Sequence, residues 1–502
     1  MNLPKITTRQ YQLIDIFIIT LGCLLRIHEY LSNRSLWLDE ALLSQNITQR
    51  NYISLLEPLD ARQNAPIGFL WFSKLSTQIL GNYEYALRFP ALVFGLLSLL
   101  VFVLILHRYF DKPVATLSLA FFAFSDPLIF YSAEVKQYSG ELMACLLILG
   151  LTLYVVDKGV RLISSIIFGI IGGLLFTISS SVVFFMASVA LYLTIYFFKS
   201  KDWQNLKWSM VMYCPWGLLF ILNYWLLLSK SVEQSGLQRS WEARSFFPPI
   251  PFLSPIYQTV RWYIDTFYNV FESPGGFITS GLAAFLFIIG CGCLYRRQKH
   301  TLFLFLLPII FTFTASVLRK YPFTTMTDSI HGGRLLLHLT PILFILIAEG
   351  AYYFIKEANP KVVVVLLIIL MANPMLNSVN RLSSPRTLEE IKPVIEYVMK
   401  NRESSDAIYV SYRTRHQFRY YRTLLSLEQP QYVIEGLPIR EETMDDFFSS
   451  IRDHDRVWLI FSYTLEQSRM DKDRALMYLN ALASPLDEIK EDGASAYLYE
   501  IQ

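Results

Sequence analysis

Apolar runs near the length of a bilayer crossing alternate with short polar loops over the first three quarters of the chain. A crossing helix needs about 20 predominantly apolar residues. Runs of that kind fall at about 12–31, 88–109, 113–131, 139–156, 162–179, 181–198, 208–228, 276–294, 301–318, 334–355 and 361–377, so the pattern predicts about eleven spans. Only Ser179, Ser180 and Ser181 separate the fifth from the sixth, and a tight re-entrant pair would leave the same pattern. The first run is too long, and too charged at its far end, for a cleaved signal peptide, and is read as a retained helix. After Asn380 the long runs stop. Helical periodicity over Thr387–Asn401, Arg415–Leu425, Met444–Ile451 and Glu466–Leu482 alternates with strand-like runs at Asp406–Tyr412, Gln431–Glu435, Arg456–Tyr463 and Ala496–Ile501. That alternation predicts a small, largely parallel α/β layer domain. Its first strand is followed by no glycine-rich phosphate fingerprint, so no nucleotide is assigned to it. The predicted division is a membrane domain at 1–380, with an outer loop at 32–87, and an α/β domain at 381–502.

Composition agrees with the pattern. With 53% hydrophobic, 15% aromatic and 17% charged side chains over 502 residues, the chain has too little polar surface for a soluble globule. A formal net charge of +3 gives no argument for a nucleic-acid partner. The five cysteines (Cys23, Cys145, Cys214, Cys291 and Cys293) lie in or beside apolar runs, where a thiol behaves as a small hydrophobe and not as half of a disulfide framework. Position matters more for the bases. Lys5 and Arg9, the stretch His107–Lys112, Lys158 and Arg161, Lys199–Lys207, Arg296–Lys299, and Lys356 and Lys361 all fall on one side under this count, which makes that side the cytoplasm. An odd number of spans then places everything after about residue 378 outside, together with loops 32–87, 132–138, 229–275 and 319–333.

The chemistry concentrates at Ser35-Leu36-Trp37-Leu38-Asp39-Glu40, two adjacent carboxylates just past the first span. Ionisable groups ordered at a bilayer surface usually face a polar cavity, a substrate path or a reaction. Helix capping is the competing account: Asp39 as N-cap, with Glu40 behind it, would complement the dipole of a helix from Ala41 to about Arg50. Farther along the loop, Ala41–Leu56 has apolar residues at helical spacing and Pro66–Leu80 is apolar but too short to span, which suits helices lying in the interface over the acid pair. The loop at 229–275 is rich in proline and aromatics (Trp241, Pro248, Pro249, Pro251, Pro255, Trp262, Tyr263), suited to the headgroup belt or to a sugar-stacking lid.

Three stretches carry a family likeness: RIHEYLSNRSLWLDEALLSQNI, then NAPIGFLWFSKLSTQILGNYEYALRFPALVFGLLSLLVF, then FYSAEVKQYSGELMACLLIL. Their order resembles family 39 of the GT-C membrane glycosyltransferases, which includes protein O-mannosyltransferases, aminoarabinose-lipid A transferases and the RgtA/B/C/D-like bacterial enzymes. The likeness covers roughly 12–200, with weaker echoes at HGGRLLLHLTP and at RHQFRYY in the tail. It implies transfer of a sugar, with inversion, from a polyprenyl-phosphate carrier to an acceptor on the outer face of a bacterial inner membrane. Asp39 matches the family's proposed general base and Glu40 its neighbour. Glu134 lies where relatives commonly have YSQEARMYS, with Lys136 in the place of the Arg. One departure stands out: where many relatives carry His-Pro-Pro, this chain has Asn64-Ala65-Pro66, which puts the role of that His in doubt here.

The residues support the same chemistry without the likeness. A sugar phosphate is an activated donor, so the protein must take a proton from an acceptor hydroxyl and neutralise a departing phosphate. Asp39 suits the first task; Lys136, Arg88, Arg334 and Arg26, at predicted outer ends of spans, suit the second, with snorkelling to headgroups as their alternative role. Glu134, Lys136, Arg88 and Arg334 form the substrate-binding set. No cofactor follows from the residues, and a divalent metal held through Asp39 and Glu134 stays open. The acceptor, whether glycan, lipid or protein, is not specified by the sequence. A transporter or flippase of lipid-linked sugars is the competing function, but it should show internal repeat symmetry, whereas here the charged residues gather on one face and the halves differ in loop length.

Overall fold

Each stretch predicted to span contains a helix among the described residues, and the end of the predicted span 208–228 lies outside them. The structure, a computed structural model, describes residues 7–225, 239, 241–242, 246–249, 254–325, 333–357, 360–425, 433–482 and 484–501; Lys5, Pro251, Gly332 and the start of the predicted strand at Gln431 lie outside them. The chain forms two compact units, one of Met1–Leu31, Tyr52–Ser73 and Arg88–Ser384, the other of Ser32–Asn51, Lys74–Leu87 and Pro385–Gln502.

The elements up to the first basic loops are α1 (Thr8–Leu31), α2 (Leu38–Gln49), α3 (Ile67–Leu80) and α4 (Glu84–Tyr109). They continue through α5 (Lys112–Ala123), α6 (Asp126–Phe130), α7 (Tyr138–Lys158), α8 (Leu162–Leu175), α9 (Val182–Lys199) and α10 (Trp203–Asn223). Then come α11 (Ile256–Glu272), α12 (Ser280–Val317), α13 (Thr340–Glu357) and α14 (Pro360–Ser383). Among the described residues seven helices are long and apolar enough to cross a membrane, or eight with α5 and α6 taken as one span bent by 56°. The chain is a multi-span helical membrane protein. Three features separate this number from eleven, one being that α10, over the predicted span 208–228, is not among the helices long and apolar enough to cross. The predicted spans 276–294 and 301–318 are the two arms of the 38-residue α12, which breaks at Gln298 (φ −145°, ψ 66°). The predicted span 162–179 is helical only over the 14 residues of α8.

Polar links explain how the first unit is tied at its ends. Lys112 donates to Thr8 (2.7 Å), His107 pairs with Asp15 (3.0 Å), Arg108 with Asp157 (2.6 Å) and Arg297 with Asp111 (2.6 Å), so the basic loops assemble at one end of the helices. The bend between α5 and α6 frees carbonyls that a continuous helix would use. Arg26 takes up two of them: its guanidinium donates to Ala123 (3.1 Å) and Phe122 (3.1 Å), as well as to Gly22 in its own helix (2.9 Å), and the side chain is buried instead of reaching for headgroups.

In the second unit, α15 (Ile391–Asn401), α16 (Arg415–Leu424), α17 (Met444–Ile451) and α18 (Glu466–Leu482) accompany a five-stranded sheet of order β2-β1-β3-β5-β4. Its strands are β1 (Ala407–Val410), β2 (Val433–Glu435), β3 (Arg456–Ser462), β4 (Asp487–Glu491) and β5 (Ala494–Glu500). The prediction of a largely parallel sheet is corrected. Strand β1 pairs in parallel with β2 and β3, but β5 runs antiparallel to both β3 and β4. The reason lies in the turn. Asp492-Gly493 joins β4 to β5 with Gly493 at φ +67°, and a two-residue connection can only return the chain antiparallel. The apolar core under the sheet gathers Tyr409, Phe447, Leu459, Phe461 and Leu479.

Candidate active site

The acid pair lies in the second unit. Helix α2 begins at Leu38, one residue before Asp39, so Asp39 is not the N-cap that the competing account made it: Trp37 holds that position, in extended conformation and with no side-chain capping bond. Asp39 and Glu40 occupy the first helical turn, where negative charge complements the dipole. Asp39 is half-buried and Glu40 fully enclosed.

The approach to α2 is held from the far end of the chain. Ser35 donates its N–H and its hydroxyl to Glu390 (3.2 and 2.9 Å), and its Oγ accepts the N–H of Lys392 (3.1 Å). The Leu36 N–H reaches the Tyr421 hydroxyl (2.6 Å), and the Leu36 carbonyl accepts from the Gln417 amide (3.0 Å). Glu389 Oε2 accepts the Leu38 N–H (2.8 Å) and the Gln417 amide (2.9 Å). Thus the first N–H of α2, one of the donors that a helix leaves without an internal partner, is capped by a carboxylate 351 residues away. Burial pushes the Glu389 carboxyl above the ordinary carboxylate range, while donors from Leu38, Gln417 and Thr464 pull it down. Farther along α2, Gln45 donates to the His416 carbonyl (2.6 Å). The His416 imidazole is pushed down to about 4 by burial and by Arg415 and Arg419. Lys392 also pairs with the buried Glu84 (3.1 Å).

The remaining candidates lie in the first unit. Glu134 and Lys136 are buried at a tight turn before α7, closed by the Lys136 N–H on the Glu134 carbonyl (2.7 Å). Lys136 Nζ donates to Gln63 (2.8 Å), which directly precedes Asn64-Ala65-Pro66. Ahead of Gln63, Ala61 and Arg62 both adopt left-handed backbone (φ +56° and +58°), a conformation costing roughly 1–2 kcal/mol per non-glycine residue. Arg334 opens a short 3₁₀ segment, Arg334–Leu339, behind Gly333 at φ +69°. A Cβ on Gly333 would lie 2.5 Å from the Ser273 carbonyl, so no larger residue fits this entry. The Arg334 guanidinium lies over the Tyr138 ring (5.6 Å), which in turn meets Tyr131 edge-to-face (5.1 Å). Tyr138 therefore joins Arg334 to the segment that carries Glu134 and Lys136. Arg88 is fully enclosed on α4.

Among the described residues no three His, Cys, Asp or Glu side chains gather as a metal cage. Sequence reasoning missed Gln63, Tyr138, Glu389, Gln417 and Tyr421. Tyr138, Gln417 and Tyr421 were within its reach, since all three belong to stretches that carry the family likeness.

Residues 64–225 match the family described as dolichyl-phosphate-mannose-protein mannosyltransferase. The fold is similar over 96% of this chain and 97% of the other to ArnT from Cupriavidus metallidurans in the apo state (TM-score 0.54, 12% identity). The chain has an ArnT-like fold and matches that mannosyltransferase family over about a third of its length. A second ArnT structure, bound to undecaprenyl phosphate, aligns over 96% of this chain and 98% of that chain (TM-score 0.53, 12% identity). The Archaeoglobus fulgidus oligosaccharyltransferase aligns over 88% of this chain and 67% of its own (TM-score 0.50, 13% identity). No curated protein sequence matches this chain.

Proposed function

We propose that the enzyme transfers a sugar from a polyprenyl-phosphate carrier to an acceptor hydroxyl on the extracytoplasmic face, inverting the anomeric centre. The acceptor oxygen attacks the anomeric carbon, the bond from that carbon to the phosphate oxygen breaks, and the hydroxyl proton passes to Asp39. Polyprenyl phosphate leaves with the electron pair. Lys136 and Arg334 receive the phosphate charge, the guanidinium through a two-pronged donor set and the ammonium as a point charge. Arg88 and Glu134 complete the substrate-binding set, and Glu40 orients Asp39 or the acceptor. In this reading residues 1–380 form the membrane domain with loop 32–87 outside, and 381–502 form an extracytoplasmic domain at the bacterial inner membrane.

The observation that carries the reading is the meeting of Arg334 with the Glu134–Lys136 segment across Tyr138, which supplies two cations of the kind a departing phosphate requires. The likeness to a protein crystallised with undecaprenyl phosphate supports the carrier class. Membranes containing the enzyme, incubated with a panel of radiolabelled polyprenyl-phosphate sugars, should pass label to an acceptor from at least one donor, with inverted configuration by NMR. Retention in the product would exclude the single displacement. A reporter active only in the periplasm, fused after Gln502, should be active; activity of a cytoplasm-only reporter there would overturn the orientation.

A further inference from the structure

The buried polar cluster around Glu389 belongs to none of the roles assigned above. It gathers residues from two distant parts of the chain on the start of the helix that bears the acid pair. Glu389 is buried and binds both the Leu38 N–H (2.8 Å) and the Gln417 amide (2.9 Å). Gln417 is held in turn: its Oε1 accepts from Ser462 (2.9 Å), whose N–H donates to Thr414 (2.7 Å). The same Gln417 amide reaches the Leu36 carbonyl (3.0 Å), so Gln417 and the Glu389 it binds fix the backbone on the two sides of Trp37. Strand β3, ending at Ser462, and helix α16 thereby set the position of Leu38, the residue before Asp39.

We infer that Glu389 and Gln417 are positioning residues, through which the carboxyl-terminal α/β domain sets where the Asp39 carboxylate stands. This rests on the reading of Asp39 as the general base. The need for such a device follows from the local structure. Trp37 gives α2 no side-chain cap, so the first turn would otherwise fray, and Asp39 and Glu40 sit in that turn. A base displaced by about 1 Å can lose up to about a hundredfold in rate. Glu389 does for the helix what an adjacent Ser or Asp does elsewhere, with the difference that its own place depends on a folded sheet.

Glu389→Ala and Gln417→Ala should each lower single-turnover transfer by roughly tenfold to a hundredfold per folded molecule, with donor KM nearly unchanged. Glu389→Gln keeps an oxygen for Leu38 and Gln417 but turns an amide donor toward Thr464, so it should recover part of the rate and serves as the test where the alanine variant does not fold. Combining Glu389→Ala with Asp39→Asn separates positioning from plain stability. When the base is already gone, loosening its helix should cost little more, so the two effects should be strongly non-additive. Full multiplicativity of the two losses, or a Glu389→Ala enzyme with normal turnover, would overturn the positioning role. An active Asp39→Asn enzyme would instead remove the base itself, a failure of the underlying reading that is seen without touching Glu389.

Discussion

The two units place their candidate residues by opposite means. In the first, backbone position comes from neighbours along the chain: the Lys136 backbone is set by a turn closed two residues earlier, and that of Arg334 by the left-handed glycine just before it. In the second, the acid pair owes its position to residues about 350 places downstream, through bonds at Ser35, Leu36 and Leu38. Local placement tolerates loss of a distant element; remote placement makes chemistry depend on whether another fold is intact. The contrast can be tested from both sides.

The largest effect is expected at Asp39. Asp39→Asn keeps the shape and first-turn location but cannot take a proton, and loss of a positioned base commonly costs a hundredfold to ten-thousandfold, about 3–5 kcal/mol of barrier. Insertion and thermal stability should stay near those of the parent. Glu40→Gln should fall short of that loss. Turnover of Asp39→Asn at matched membrane levels decides it: near-normal transfer would leave dipole complementation as the whole role of the pair.

Next is the remote half of the comparison. Gly493→Ala places a Cβ where φ is +67° and where the Leu388 carbonyl oxygen lies 1.9 Å away, so backbone must move directly beside Glu389. A loss above about 1 kcal/mol in stability of the second unit is expected. Transfer should fall with it. Retained turnover in a measurably destabilised protein would sever the link between that unit and the chemistry.

A smaller change is expected for Arg334→Lys, where a stacked fork is replaced by a point charge. Donor affinity should weaken by roughly tenfold, about 1.4 kcal/mol, with stability little affected. Unaltered donor binding would shift the phosphate contact to Arg88.

The mildest concerns His416. Its imidazole is neutral in the folded protein and protonates only near 4, whereas in the unfolded chain it protonates near 6.5. Between those values the unfolded state binds more protons, so stability contributed by the neutral ring is present above 6.5 and is lost as pH falls toward 4. His416→Gln should flatten that part of the acid limb of thermal unfolding. An unchanged slope would mean that the imidazole is not held neutral.

The same contrast explains what the sequence made legible. Membrane helices announce themselves by composition, and the acid pair stands out because charge after a long apolar run is conspicuous. Strand β4 escaped because Asp487, Glu488, Lys490 and Glu491 read as a solvated loop, although charges are what an edge strand uses against further pairing. Glu389 and Glu390 escaped for a related reason: in Thr387-Leu388-Glu389-Glu390 they look like surface charge, and only tertiary structure turns one of them inward. The RHQFRYY stretch showed a weak likeness and no assignable task; its Gln417 and Tyr421 turn out to hold Leu36.

The pairing of Leu38 with Glu389 also sets a timetable for biosynthesis. At about 5–20 residues per second, a ribosome needs roughly 20–70 s to travel the 351 residues between them. Throughout that interval the nascent chain already carries its acid-bearing helix without the carboxylate that caps it, so a ribosome stalled at Ser384 would leave every apolar helix made and the acid pair unmoored.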